Sequence, residues 1–275
     1  MTPRERQAKI LEMLRNRGYV SIDDLSNAVH VSTMTIRRDL DQLQAMALIS
    51  RHYGGAALAP SEHKSLRRHG LDPLAGASLA PAQYDQEWPW PLREKVNFEA
   101  KEKIGRTAAS FVKDDDVILM DAGTTTYQVA RHLTQKGLTV ISNFLPILSL
   151  LSDRDNTTLI GIGGVLDKDN QWFTGPTVAD ALRRMNANRA IMATTCLSIT
   201  RGLTNRKIGD SEIKRAMIET AEKKILVMDS SKMNRHTLAT VGPLQMIDIL
   251  VTDAGISLED REAIKAAGVQ VVIAE

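Results

Sequence analysis

Apolar residues recur at helical spacing from the start of the chain, and the period changes once further along. Ile10, Leu11 and Leu14 repeat behind Pro3, a residue suited to a first helical turn, and "NRG" stops that helix at Gly18. A second helix follows at once: Ser21 is placed to cap it, Asp23 and Asp24 suit its positive end, and Ile22, Leu25 and Val29 form one apolar stripe. After the turn "HVS", Ser32 caps a third helix whose inward positions are Ile36, Leu40 and Leu43, leaving Thr33, Thr35, Arg37 and Arg38 to face outward. "ALISRHYGGAA" then alternates apolar and polar residues before two glycines, as a two-stranded wing does.

Two short helices joined by a tight turn predict a winged helix-turn-helix over residues 1–57. In that motif the second helix lies in the major groove with its first residues at the base edges. The DNA-facing set is then Ser32, Thr33, Met34, Thr35, Arg37 and Arg38, with Arg51 and His52 of the wing approaching the phosphate backbone. The plainer alternative, a solvated arginine face on a small helical domain, is opposed by the agreement among caps, turn length and stripes. Asp39 sits beside two arginines on a helix meant for DNA. Phosphate repels it, so its role is to orient an arginine.

The period fails over residues 58–97, where "SEHKSLRRHGLDPLAGASLAPAQYDQEWPWPL" mixes Pro, Gly, Ser and charge as a linker does. Trp88 and Trp90 within it have three readings: rings docked on a partner, rings in an extended spacer, or, the one favoured, rings docked on the protein's own fold. Over residues 98–275 helices alternate with near-continuous apolar strands such as "DVILMDAG", "LTVISN", "RAIMATTC" and "KKILVMD". That alternation implies an α/β fold with a mostly parallel, doubly wound sheet covered on both faces. Ligands of such sheets bind at the C-terminal strand ends. "TTTYQVARHLTQKG" reads as a helix ended by Gly137.

"LMDAGTTTYQVA" stands at one of those strand ends. A helix start holds unpaired N–H groups at the positive end of the dipole, and Thr124, Thr125 and Thr126 add hydroxyl donors, so the loop suits an anion. Ordinary helix capping uses the same geometry. Asp121 likewise has two readings, a ligand of hydroxyl groups or a brace for its own loop.

Composition adds limits rather than a function. At 275 residues, with 43% hydrophobic and 25% charged residues, the chain suits two globular modules. No apolar run spans a membrane and the N-terminus is too polar for a secretory signal, so a cytoplasmic protein is expected. The single cysteine, Cys196, sits in an apolar run and reads as a buried structural thiol rather than a nucleophile. The histidines show no metal-ligand spacing, and no metal or cofactor is implied. Residues 1–70 hold 11 basic against 7 acidic residues while the remainder holds 24 against 26, a mild asymmetry that favours an anionic partner for the N-terminal part.

"VSTMTIRRDLDQLQAMALISRHYGGAA" closely resembles the helix-turn-helix of DeoR-type bacterial transcriptional regulators, and "LMDAGTTT", "ISN", "GIGGVL", Gly175, "GLT" and "KRAMIETAEKKILVMDSSK" follow in the order of that family's sensor domain. The resemblance implies a sugar-metabolism regulator, usually a repressor, with a sugar-phosphate-isomerase-like sensor that binds a phosphorylated sugar. Carried over by motif, the effector residues are Asp121, Gly123, Thr124, Thr125, Asn143, Gly163, Gly164, Lys214 and Lys232, the last read equally as a solvated strand-end lysine. The chain departs from the family where Asp167 and then Lys168 follow the double glycine, and where Asp210 precedes "KRAMI" in place of a glutamate. The linker is also longer than expected. Double-stranded operator DNA, a phosphorylated sugar and a second copy, in a homodimer or homotetramer, are the expected partners. The competing class, an isomerase carrying a DNA module, needs a positioned base. Asp121 and Asp210 are its candidates, and neither lies in a catalytic motif.

Overall fold

Pro3 opens a helix that Gly18 closes: α1 (Pro3–Arg17) ends where Gly18 takes φ 72° and its N–H returns to Leu14 O at 2.9 Å. The structure, a computed structural model, describes residues 3–45, 48–52, 54–58 and 90–275. It divides into two compact units, residues 1–96 and 97–275.

In the first unit, Ser21 Oγ accepts the Asp24 N–H at 3.0 Å and starts α2 (Ile22–Val29), and α3 (Thr33–Ala45) follows. Ile10, Leu14, Leu25, Ile36, Leu40 and Leu43 close one core among the three helices. The wing differs from expectation. It has three antiparallel strands in the order β1 (Tyr19–Ser21), β3 (Gly55–Leu58), β2 (Ile49–His52). "YVS" is too short to show an alternation, so its strand was not legible. Most of the expected linker, including Trp88, lies outside the described residues. At its end Trp90, half-buried, begins a short helix, α4 (Trp90–Lys95), where no element was expected.

The second unit is built on seven parallel strands in the order β15 (Gln270–Ile273), β14 (Ile249–Thr252), β12 (Ala221–Val227), β9 (Ala187–Met192), β4 (Val117–Met120), β5 (Thr139–Ser142), β6 (Thr158–Gly161). The described helices are α5 (Phe98–Ala109), α6 (Thr124–Arg131), α7 (Leu145–Leu151), α8 (Pro176–Leu182), α9 (Ile208–Thr220) and α10 (Leu258–Ala266). Leu119, Ile141 and Met192 on one face pack against α8 and α9, and the same face continues through Leu226 and Leu250 to α10. Ile118, Ile191, Ile225 and Val251, which alternate to the other face, are also buried, and α5 packs on β12 and β14.

Two features were not foreseen: a hairpin of β7 (Val165–Asp167) and β8 (Trp172–Thr174), and an antiparallel sheet β10 (Cys196–Ser198), β11 (Gly202–Asn205), β13 (Ala239–Gly242). Their strands are three or four residues long, too short for a period. The helix expected to run to Gly137 ends at Arg131 instead. Gly137, at φ 69°, belongs to the turn that leads into β5. Cys196 is buried, as expected.

Candidate functional site

In the first unit the residues singled out lie on one short helix and divide by task. Ser32 Oγ accepts the Thr35 N–H at 3.3 Å and lies 3.0 Å from Thr35 Oγ1, so both hydroxyls serve the start of α3. Thr33, Met34, Arg37 and Arg38 are exposed, and the first turn carries no acid that would repel phosphate. Arg51 is ion-paired with Asp41 of α3; the side chain of His52 lies outside the described residues. Asp39 orients an arginine, but of α1 rather than its own helix: Arg6 donates to it twice, at 2.5 and 3.0 Å, with the carboxylate 3% exposed.

In the second unit the strand order reverses between β4 and β9, the switch point that in such sheets marks the ligand crevice beyond the C-terminal strand ends. Asp121 follows β4 directly. Its N–H continues the ladder to Ile191 O at 3.0 Å, and its Oδ2 accepts the Ala193 N–H at 2.9 Å and the ammonium of Lys214. Lys214, buried on α9, also meets Asp210 at 3.5 Å. Burial acts to strip its proton, but Asp121 and Asp210 outweigh that and hold its pKa above the ordinary lysine value. Asp210 in turn accepts from Asn205 Nδ2 at 2.7 Å, and Asn205 Oδ1 accepts the Thr195 N–H at 2.9 Å.

Gly123 precedes α6 without any side-chain cap, and Thr124 and Thr125 are buried in its first turn. Thr126 is a brace: its Oγ1 donates within the loop, to Asp121 O at 2.6 Å and Gly123 O at 2.9 Å. Asn143 follows β5 and ties down the β7–β8 hairpin through Nδ2 to Phe173 O at 2.7 Å. A Cβ on Gly164 would lie 2.6 Å from Thr174 O, so that glycine serves packing; one on Gly163 would meet nothing within 4 Å. Lys232 donates to Thr194 O at 3.2 Å. Hydrogen bonds thus chain Asp121, Lys214 and Ala193, with Lys232 on the next residue. Asn143, Gly163 and Gly164 share only the sheet edge with them.

Three side-chain oxygens in this set are buried and unpartnered: Asp121 Oδ1, Thr125 Oγ1 and Asn143 Oδ1. Native proteins seldom leave such atoms without a partner. Asp167, the departure after the double glycine, is committed: burial raises its pKa, but Lys207, at 2.7 Å, and Asn170 outweigh this and hold it below the ordinary carboxylate value.

Residues 6–62 match the DeoR-like helix-turn-helix domain, and residues 96–254 match the DeoR C terminal sensor domain. The chain belongs to the DeoR family. Its relatives include the HTH-type transcriptional regulator GlpR of Haloferax volcanii, 31% identical over 99% of this chain and 98% of GlpR, and the transcriptional repressor AccR of Agrobacterium fabrum, 30% identical over 91% and 90%. Among solved structures, ribose 5-phosphate isomerase A from Neisseria gonorrhoeae is 14% identical over 51% of this chain and 54% of that one, with a TM-score of 0.36. A likeness so slight bears no weight for function. This DeoR-family chain is a DNA-binding transcriptional regulator, not an enzyme. Among its described residues no helix is long and apolar enough to cross a membrane.

Sequence reasoning overlooked Asn205, Lys101 and Asp229. Asp229 follows β12, is buried, and accepts from Asn97 Nδ2 at 3.1 Å; burial raises its pKa, but Lys232, Lys101 and hydrogen bonds from Ser231 and Asn97 lower it further. A readable signal existed for Lys101: it precedes Ile104, Gly105 and Ala108 on the buried stripe of α5.

Proposed function

We propose that this regulator represses a sugar-utilisation operon and that a phosphorylated sugar, held at the crevice between β4 and β9, changes its grip on operator DNA. In this reading residues 1–57 bind the duplex and residues 98–275 sense the effector through Asp121, Gly123, Thr124, Thr125, Asn143, Gly163, Gly164, Lys214 and Lys232. The observation that carries it is the trio of buried, unpartnered oxygens on Asp121, Thr125 and Asn143. Each unmatched polar atom costs about 1–3 kcal/mol, so a polyhydroxylated ligand that supplies donors fits the set. The uncapped first turn of α6 suits the phosphate. The name of the relative AccR, a transcriptional repressor, supports the sign of regulation. A homodimer or homotetramer in the cytoplasm answers the need for two operator half-sites.

The test is a thermal-shift screen of hexose, pentose and triose phosphates against the same sugars without phosphate. One sugar phosphate should stabilise the protein, by about 2.7 kcal/mol at a hundredfold excess over its Kd, and Thr124→Val should remove the effect. The same compound should change operator affinity roughly 5- to 150-fold. Stabilisation by the unphosphorylated sugar alone defeats the phosphate assignment.

A further inference from the structure

The first turn of α3 holds a side chain that the fold does not use. Ser32 and Thr35 spend their hydroxyls on the helix start, and Ile36, Leu40 and Leu43 are sealed in the core. Met34 is 67% exposed, the one large apolar side chain of the first unit in that state among the described residues. Side chains three and four apart on a helix are neighbours, so Met34 shares its face with Arg37 and Arg38. That face runs on to Asp41, whose charge is met by Arg51. An apolar tip beside two guanidinium groups, in the turn that reaches base edges, calls for an apolar group in the major groove. Thymine alone offers one there, its 5-methyl.

We infer that Met34 reads a thymine, its thioether end packing on the 5-methyl group of a T·A pair next to the base pair that Arg37 or Arg38 contacts. The inference rests on the reading of α3 as the recognition helix. Arginine pairs most often with guanine, so the operator carries a thymine beside a guanine in each half-site. The unbranched thioether, with three rotatable bonds, follows the methyl as the helix settles in the groove.

The test begins with a duplex enriched by the full-length protein from a random-sequence library. It is resynthesised with deoxyuridine for thymidine at one position at a time, which removes only the methyl group. One position beside a guanine should lose about fourfold in affinity, the worth of one buried methyl. Met34→Ala should bind the thymine duplex at least as weakly as the native protein binds the uracil duplex, and should no longer tell the two apart; Met34→Leu should restore the difference. Uracil tolerated at every position, or discrimination that persists in Met34→Ala, overturns the inference and leaves the recognition helix standing. If Arg37→Ala and Arg38→Ala leave the enriched sequence preference unchanged, or no sequence is enriched, the recognition-helix reading fails and this inference with it. A changed sedimentation coefficient for DNA-free Met34→Ala assigns the residue to a protein interface and overturns it as well.

Discussion

In the proposed function, the outward face of α3 and the crevice between β4 and β9 solve anion recognition in opposite ways. On α3, Arg37 and Arg38 stand in solvent with no carboxylate in the first turn, and their charge is free to meet a polyanion. In the crevice, Lys214 is 3% exposed and already answered by Asp121 and Asp210. The difference matches what each is proposed to bind. A DNA backbone is a long array of charge reached through water, where exposed cations act by displacing counterions. A small ligand is held in a dry site, where a lone charge is costly, so the site carries its own counter-ions. The first face therefore tolerates substitution and the second does not.

The largest expected effect tests that contrast at its centre. Asp121→Ala leaves Lys214 buried with Asp210 alone at 3.5 Å, and should cost about 3–5 kcal/mol. For a unit of this size that is a fall of roughly 6–20 °C in Tm, read by calorimetry. Lys214→Met added to Asp121→Ala should recover much of the loss, because the buried ammonium is gone and Asp210 keeps its hydrogen bond from Asn205. If the double variant is no better than the single one, the pair is not what holds the crevice.

Next comes the exposed face. Arg38→Ala should weaken binding to the operator by about 1–3 kcal/mol while leaving stability within about 0.5 kcal/mol of native, the mark of a residue that touches the partner and not the fold. Gel retardation across a salt series separates its two roles. A base contact relaxes sequence preference, whereas a phosphate contact lowers the salt slope by about one. A destabilised Arg38→Ala would erase the contrast with Asp121.

A pH series sharpens it further. The folded pKa of Asp229 lies below the ordinary carboxylate value of 3.8, so its contribution is present above that value and is lost as pH falls through the lower folded one. Lys214 is raised above the ordinary 10.5, so its contribution is complete below that value and is lost only as pH rises beyond it. Between these limits neither group should move Tm. Asp229→Asn should flatten the acid limb below pH 3.8 and leave the alkaline limb unchanged. An acid limb as steep as the native one would show that Asp229 is not paired as described.

The same contrast explains what was legible in the sequence. The DNA face is local: Ser32, Met34, Arg37 and Arg38 sit within two turns of one helix, so a cap and an apolar stripe fix which way each points. The crevice is not local. Asp121 meets Lys214 across 93 positions and Ala193 across 72, contacts that follow from strand order rather than from any period. The family motifs named both residues without saying that one neutralises the other. Asp229 was missed because Asn97 reaches it across 132 positions, and Asn205 because its partners Asp210 and Thr195, though only 5 and 10 positions away, meet it through no helical or strand period. Thr126, one of three adjacent threonines, was indistinguishable from Thr125 until Thr126 Oγ1 was seen to close the loop and Thr125 Oγ1 to have no partner.

That pair of threonines gives the cleanest separation of holding a fold from waiting for a ligand. Thr125→Val keeps the shape and removes a buried hydroxyl with nothing to bond. Its stability should therefore equal or slightly exceed the native value, by under about 1 kcal/mol. Thr126→Val removes the one hydroxyl proton shared between the Asp121 and Gly123 carbonyls, and should lower stability by about 1–3 kcal/mol. Ligand response should run the other way, with Thr125→Val losing the stabilisation by sugar phosphate and Thr126→Val keeping part of it. If Thr125→Val destabilises the unbound protein as much as Thr126→Val does, its hydroxyl already has a partner within the fold, and the crevice offers a ligand one unpartnered oxygen fewer.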